Sequence, residues 1–141
     1  MLACLDVPPS ADGVALLDAT WQDYPRWESD DDAVAFKAPS LTDPDSPPYP
    51  GFAVATRPHS DSDRAQVVRV ELWAGRSPHG LRLLHSSVLY VGGAGVELGN
   101  AENSLIHAEV PAGDWDIEIW VDSDRDHAVR RVAFVLPRLR P

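Results

Sequence analysis

Alternation of apolar and polar residues runs through the second half of this chain, and it constrains the fold more tightly than any other feature. Val68, Val70 and Leu72 alternate with Arg69, Glu71 and Trp73. Trp115, Ile117, Ile119 and Val121 alternate with Asp114, Asp116, Glu118 and Trp120. Val132, Phe134 and Leu136 alternate with Arg131, Ala133 and Val135. Successive side chains of a strand point to opposite faces, so a period of two with one polar face marks a half-buried antiparallel strand. Ile106, Ala108 and Val110 set against Leu105, His107 and Glu109 make a weaker fourth case. The apolar run from Leu81 to Val91 reads as one long strand, or as two meeting at His85-Ser86-Ser87.

The breaks between these runs carry turn chemistry. Gly75 to Gly80, Gly92-Gly93-Ala94-Gly95, Gly99-Asn100, Pro111 to Asp114 and Asp122 to Asp126 each punctuate the pattern with Gly, Pro, Asn or Asp. In the first half, Val14 to Leu17, Ala33 to Phe36 and Phe52 to Ala55 suit short strands. Residues 39–50 include five prolines, which makes that stretch a loop or extended arm. One short helical turn near Ala19 to Trp27 is possible, limited by Pro25. The expectation is a single domain over residues 1–141: an all-β antiparallel sandwich of about seven to nine strands with little helix.

Composition excludes several classes. A chain of 141 residues, 44 % apolar and with five tryptophans, can bury a core without cross-links. No run approaches the roughly 20 apolar residues a membrane helix needs, and the first residues lack the charged and apolar regions of a secretory signal. Cys4 is the single cysteine, so no internal disulfide forms, and the expected location is the cytoplasm. Eleven of twelve basic residues are arginine, which points to a GC-rich bacterial genome. The net charge of −10 argues against nucleic acid as a direct partner. The charge is unevenly placed. Residues 1–63 hold twelve acids and three bases, a net of −9, while residues 64–141 hold ten acids and nine arginines, a net of −1. That asymmetry fits either a solubilising surface or a site that steers a basic partner.

No motif carries an unambiguous chemistry. Asp122-x-Asp124-x-Asp126 resembles the start of a calcium loop, but His127 stands where Gly is needed and Ala133 where the closing Glu belongs. A solvated hairpin turn is the better reading, and no metal or cofactor is expected. Gly92, Gly93 and Gly95 lack the Lys and the helix of a phosphate loop and read as a hairpin. His59, His79, His85, His107 and His127 show no metal-ligand spacing. No Ser elbow accompanies His85-Ser86-Ser87, and no basic group flanks Cys4 in sequence, so no catalytic residue is assigned.

The segment from Trp21 to Asp32 is the most suggestive. Trp21, Tyr24 and Trp27 are interleaved and followed by Glu28, Asp30, Asp31 and Asp32. Rigid aromatics that anchor, beside carboxylates that meet Arg or Lys, make a protein-binding surface. The competing reading has Trp21 and Trp27 capping the core above a solvated acidic run. Together with Pro50-Gly51-Phe52-Ala53-Val54 and a late Pro111-Ala112-Gly113-Asp114-Trp115-Asp116-Ile117-Glu118-Ile119 strand, this layout resembles small bacterial β-sandwich proteins of the ComJ type. That resemblance implies non-enzymatic inhibition of a nuclease, or an immunity role against a toxin. No site residue carries over, because no site motif matches residue by residue. The expected function is therefore binding of a basic protein partner through Trp21, Tyr24, Trp27, Glu28, Asp30, Asp31 and Asp32. Two alternatives stand beside it. One is a ligand-binding or enzymatic β-domain with a pocket lined by Trp73, Tyr90 or Trp120 and using His85 or His107. The other is a structural accessory domain.

Overall fold

The computed structural model of the chain describes residues 1–7, 13–20, 33–36, 48–56, 67–100, 104–122 and 129–141. Ten strands form among them: β1 (Ala3–Val7), β2 (Gly13–Asp18), β3 (Ala33–Phe36), β4 (Gly51–Ala55), β5 (Val68–Ala74), β6 (Arg82–Val91), β7 (Val96–Asn100), β8 (Ser104–Ala108), β9 (Gly113–Val121) and β10 (Arg131–Leu139). They make two five-stranded sheets. The first has the order β1-β5-β10-β9-β6 and the second β3-β4-β2-β7-β8. The protein is an all-β sandwich, and no helix occurs among the described residues.

The alternating residues meet where their period placed them. Val70, Leu72, Ile117, Ile119, Val132 and Phe134 of the first sheet pack against Val14, Leu16, Phe52, Val54 and Leu98 of the second in one core, with Trp115 partly buried at its margin. Each fully buried aliphatic side chain contributes about 1.5–3 kcal/mol of transfer free energy, so this shared face holds the sheets together.

Three details depart from the sequence reading. There are ten described strands rather than seven to nine, because Ala3–Val7 adds to the edge of the first sheet, antiparallel to β5. Ala3, Leu5 and Val7 turn toward the core and Cys4 and Asp6 outward, but apolar Cys4 in the run Met1 to Leu5 masks that alternation in the sequence. Next, β5 and β10 pair in parallel, with Val70 opposite Val132 and Leu72 opposite Phe134. Short connections impose antiparallel pairing only on strands adjacent in the chain; strands this remote are free to run either way. Lastly, residues 92–95 do not close a hairpin. They carry the chain from β6 in one sheet to β7 in the other.

The apolar run at 82–91 is a single strand on the edge of its sheet. Leu83 pairs with Trp120 and His85 with Ile119, which leaves Leu84 as an extra residue in a bulge. Bulges twist an edge away from further strand addition. Near the other end of β6, Tyr49 runs alongside Leu89. Its N–H donates to the Val88 carbonyl at 3.0 Å, and its own carbonyl accepts from Tyr90 at 2.7 Å.

Candidate functional site

Trp21, Tyr24, Trp27, Glu28, Asp30, Asp31 and Asp32 lie outside the described residues. What the structure does define is the point from which that segment departs. Asp18, at the end of β2, is buried at 2 % exposure. Its carboxylate accepts the Thr20 hydroxyl and the Gly92 N–H, the latter at 3.0 Å. The Asp18 N–H donates to the Pro50 carbonyl at 2.7 Å, and the Ala19 N–H to the Gly95 carbonyl at 2.9 Å. A buried carboxylate is tolerated only when donors satisfy it. Here those donors tie the end of β2 to the turn between the sheets, so the chain leaves Thr20 from a fixed position. It re-enters at Ala33 on β3, an edge strand of the second sheet.

The outer face of the first sheet is described in full side-chain detail, and it carries a pattern that repeats. Glu71-Leu72-Trp73 on β5 and Glu118-Ile119-Trp120 on β9 are both Glu-aliphatic-Trp triplets. In each, the aliphatic residue enters the core while the Glu and the Trp face outward. The Trp73 indole N–H donates to Glu71 at 2.7 Å, and the Trp120 indole N–H donates to Glu118 at 3.2 Å. Strand β10 lies between the two triplets. Ala133 is in register with Glu71 on one side and Trp120 on the other; Val135 is in register with Trp73 and Glu118. The triplets are thus related by an approximate two-fold axis through β10. Ala133 and Val135 are fully buried although they face away from the core, because larger side chains flank each of them on both sides.

Glu71 is the centre of an ion cluster. It is 1 % exposed. Arg131 on β10 donates to it from Nε at 2.7 Å and from a terminal nitrogen at 3.0 Å, and Arg69 donates from Nε at 2.9 Å. Burial pushes the Glu71 carboxyl up, but the hydrogen bonds from Arg131 and Trp73, the Arg131 charge and the Arg69 bond together outweigh it and hold the group below its usual value. The Arg131 guanidinium is raised in turn, first by its bond to Glu71. A second, more exposed group lies further along β9: Asp116 receives Arg140 at 2.7 Å and Arg138 at 3.3 Å. The Arg140 bond is the main reason its carboxyl is also lowered.

The residues of the pocket alternative are not brought together. Trp73, Trp120 and Tyr90 line the outer face of the first sheet, in register with Val135, Ala133 and Asp114 respectively. His85 faces the other way, opposite Ile119, with its ring 6.0 Å from that of Phe52. His107 sits on β8 in the second sheet and pairs with Glu109 at 3.0 Å. Among the described residues no group of three or more His, Cys, Asp or Glu is placed to hold a metal ion. Of the acidic turn, residues 123–128 lie outside the described residues; Asp122 accepts the N–H groups of Arg130 and Arg131 at 3.1 and 3.2 Å. Cys4 is exposed, with an Arg69 nitrogen 3.7 Å from its sulfur.

Sequence reasoning placed Glu71 on a solvated polar face and missed the cluster. The Glu-x-Trp repeat was a signal that could have found it, since residues two apart on a strand share a face. Arg131 comes from 60 residues away, and only the pairing of β5 with β10 brings it in.

No family model matches the chain, and no curated protein matches it in sequence. Among solved structures, it is similar to ComJ from Bacillus subtilis, described as an inhibitor of the DNA-degrading activity of NucA. The two superpose with a TM-score of 0.59 at 9 % identity, over 95 % of this chain and 93 % of that one. The chain therefore shares the ComJ-type fold over nearly its whole length.

Proposed function

We propose that this chain is a non-enzymatic, acidic protein-binding module, and that it acts as an inhibitor or immunity protein for a basic partner such as a nuclease or toxin. The observation that carries this reading is the shared fold over nearly the whole length of a nuclease inhibitor. Fold alone does not fix function. The charge adds a physical reason. A net of −9 over residues 1–63 suits a protein that competes with phosphates for a basic groove. In that mechanism no covalent step occurs. Carboxylates such as Glu28, Asp30, Asp31 and Asp32 take the place of nucleic-acid phosphates, Trp21, Tyr24 and Trp27 supply apolar contact, and substrate is excluded by occupancy.

The test is inhibition. DNA-degrading activities fractionated from the host are titrated with the purified protein. The expected result is that one of them is suppressed at a one-to-one ratio and co-elutes with the protein in gel filtration. If every fraction keeps its activity at tenfold excess of the protein, the reading is wrong.

A further inference from the structure

The two Glu-x-Trp units on the outer face of the first sheet differ in one respect. Glu71 is filled: its two oxygens hold the fork of Arg131, the Nε of Arg69 and the Trp73 indole. Glu118 is half-buried in the same setting, yet among the described residues it accepts only the Trp120 indole. The approximate two-fold axis shows why. Arg131 lies two residues before Ala133, the residue in register with Glu71. By count the related position, two residues after Val135, is Pro137, but the register shifts there and sets Arg138 opposite Asp116 instead. Arg138 and Arg140, further on, are both engaged by Asp116. On the other flank, Ser86 stands directly opposite Glu118, exposed and uncharged, and Leu83, opposite Trp120, is 46 % exposed.

We infer that Glu118, with Trp120 beside it, receives an arginine side chain from the basic protein partner, so that the partner docks on the β9–β6 side of the first sheet. The inference rests on the reading of this chain as a binder of a basic protein, and it names a contact point for that partner. The molecule itself displays the occupied form of such a site in Arg131 on Glu71. A guanidinium suits it better than an ammonium: its planar fork meets both carboxylate oxygens at once, and its face stacks on an indole. Half-burial strengthens the pairing relative to a fully solvated carboxylate, while exposed Leu83 and Ser86 leave room for the partner's backbone.

The experiment uses the full chain and hexa-arginine peptide as probe, with hexa-lysine as a charge-matched comparison. The readout is the NMR signal of the Trp120 indole N–H, assigned with Trp120→Phe. Hexa-arginine is expected to shift that signal saturably, and hexa-lysine to shift it little. Glu118→Gln weakens the hexa-arginine response by about fivefold or more. Glu109→Gln removes the same charge from the segment just after β8 and leaves the response unchanged. Ser86→Arg places a guanidinium beside Glu118 within the chain and abolishes the response. Equal weakening by the Glu118 and Glu109 substitutions, equal shifts from both peptides, or a response that survives Ser86→Arg overturns the site. A host nuclease inhibited as strongly by Glu118→Gln as by the parent also overturns it, and leaves the inhibitor reading standing. A Glu118-dependent arginine response in a protein that inhibits no nuclease supports the site and removes the inhibitor reading.

Discussion

At 1 % exposure, burial alone would push the Glu71 carboxyl above its ordinary value, yet the N–H donors of Arg131, Trp73 and Arg69 and the Arg131 charge hold it below that value. The sign of the pH dependence follows. A carboxyl whose folded pKa lies below its unfolded one binds protons more readily in the unfolded chain. Its stabilisation is present above the ordinary value of 4.5 and is lost as pH falls through the depressed folded value. Asp116, lowered mainly by Arg140, adds a smaller contribution of the same sign, because it is more exposed. Glu71→Gln removes the charge and leaves two guanidinium groups without their acceptor. It is expected to cost about 3 kcal/mol near pH 7 and to lower Tm by roughly 10 °C. The difference from the parent should shrink as pH drops below 4, which thermal melts between pH 2.5 and 7 can measure. A constant difference across that range would show that Glu71 acts through packing rather than charge. Trp73→Phe removes one donor and should cost only about 1 kcal/mol.

The turns between strands divide by what surrounds them, and glycine shows it. Gly80, between β5 and β6, and Gly95, between β6 and β7, have nearly the same backbone angle, φ +83° and +81°. A Cβ at Gly80 meets nothing within 4 Å, whereas one at Gly95 would lie 2.5 Å from the Ala108 carbonyl oxygen. Gly80→Ala should therefore cost about 1 kcal/mol, from left-handed backbone alone. Gly95→Ala forces the carbonyl of a neighbouring strand to move as well, and should cost about 3 kcal/mol. Urea unfolding of the two variants separates the terms, and equal costs would mean that the sheet-to-sheet turn is more compliant than its geometry implies. The same elements show what was legible in the sequence. β5, β9 and β10 were plain, because one face of each is core and the period of two survives. The short strands β2, β3 and β4 were found from apolar runs between turn residues. The strand β1, the parallel pairing of β5 with β10, and the passage of residues 92–95 between sheets were not legible. Alternation reports which face is buried; it does not report which strand lies alongside. The ion cluster at Glu71 was hidden for the same reason. The Glu-x-Trp triplets stood in the sequence, but the arginine that fills one of them belongs to a third strand.

Charge is distributed by sheet as well as by sequence half. The five strands of the second sheet contain no lysine or arginine, while Arg69, Arg82, Arg131 and Arg138 all lie on strands of the first. Within the first sheet the arginines at Glu71 and Asp116 are already paired with carboxylates, so the field a distant partner feels is acidic. Exposed charges act over about one Debye length, roughly 8 Å at physiological salt, and they govern encounter more than residence. Apolar anchors govern residence, since interface substitutions act mostly on the off-rate. These two effects make the acidic segment testable with a known partner. Replacing Asp30, Asp31 and Asp32 with Asn should slow association several-fold at low salt and flatten its dependence on ionic strength, with dissociation little changed. Trp27→Ala should leave association nearly intact and speed dissociation by about tenfold or more. Stopped-flow association and surface-based dissociation measurements at several salt concentrations separate the two. If both variants bind and release the partner as the parent does, residues 21–32 serve solubility alone, and contact with the partner must be sought on the outer face of the first sheet.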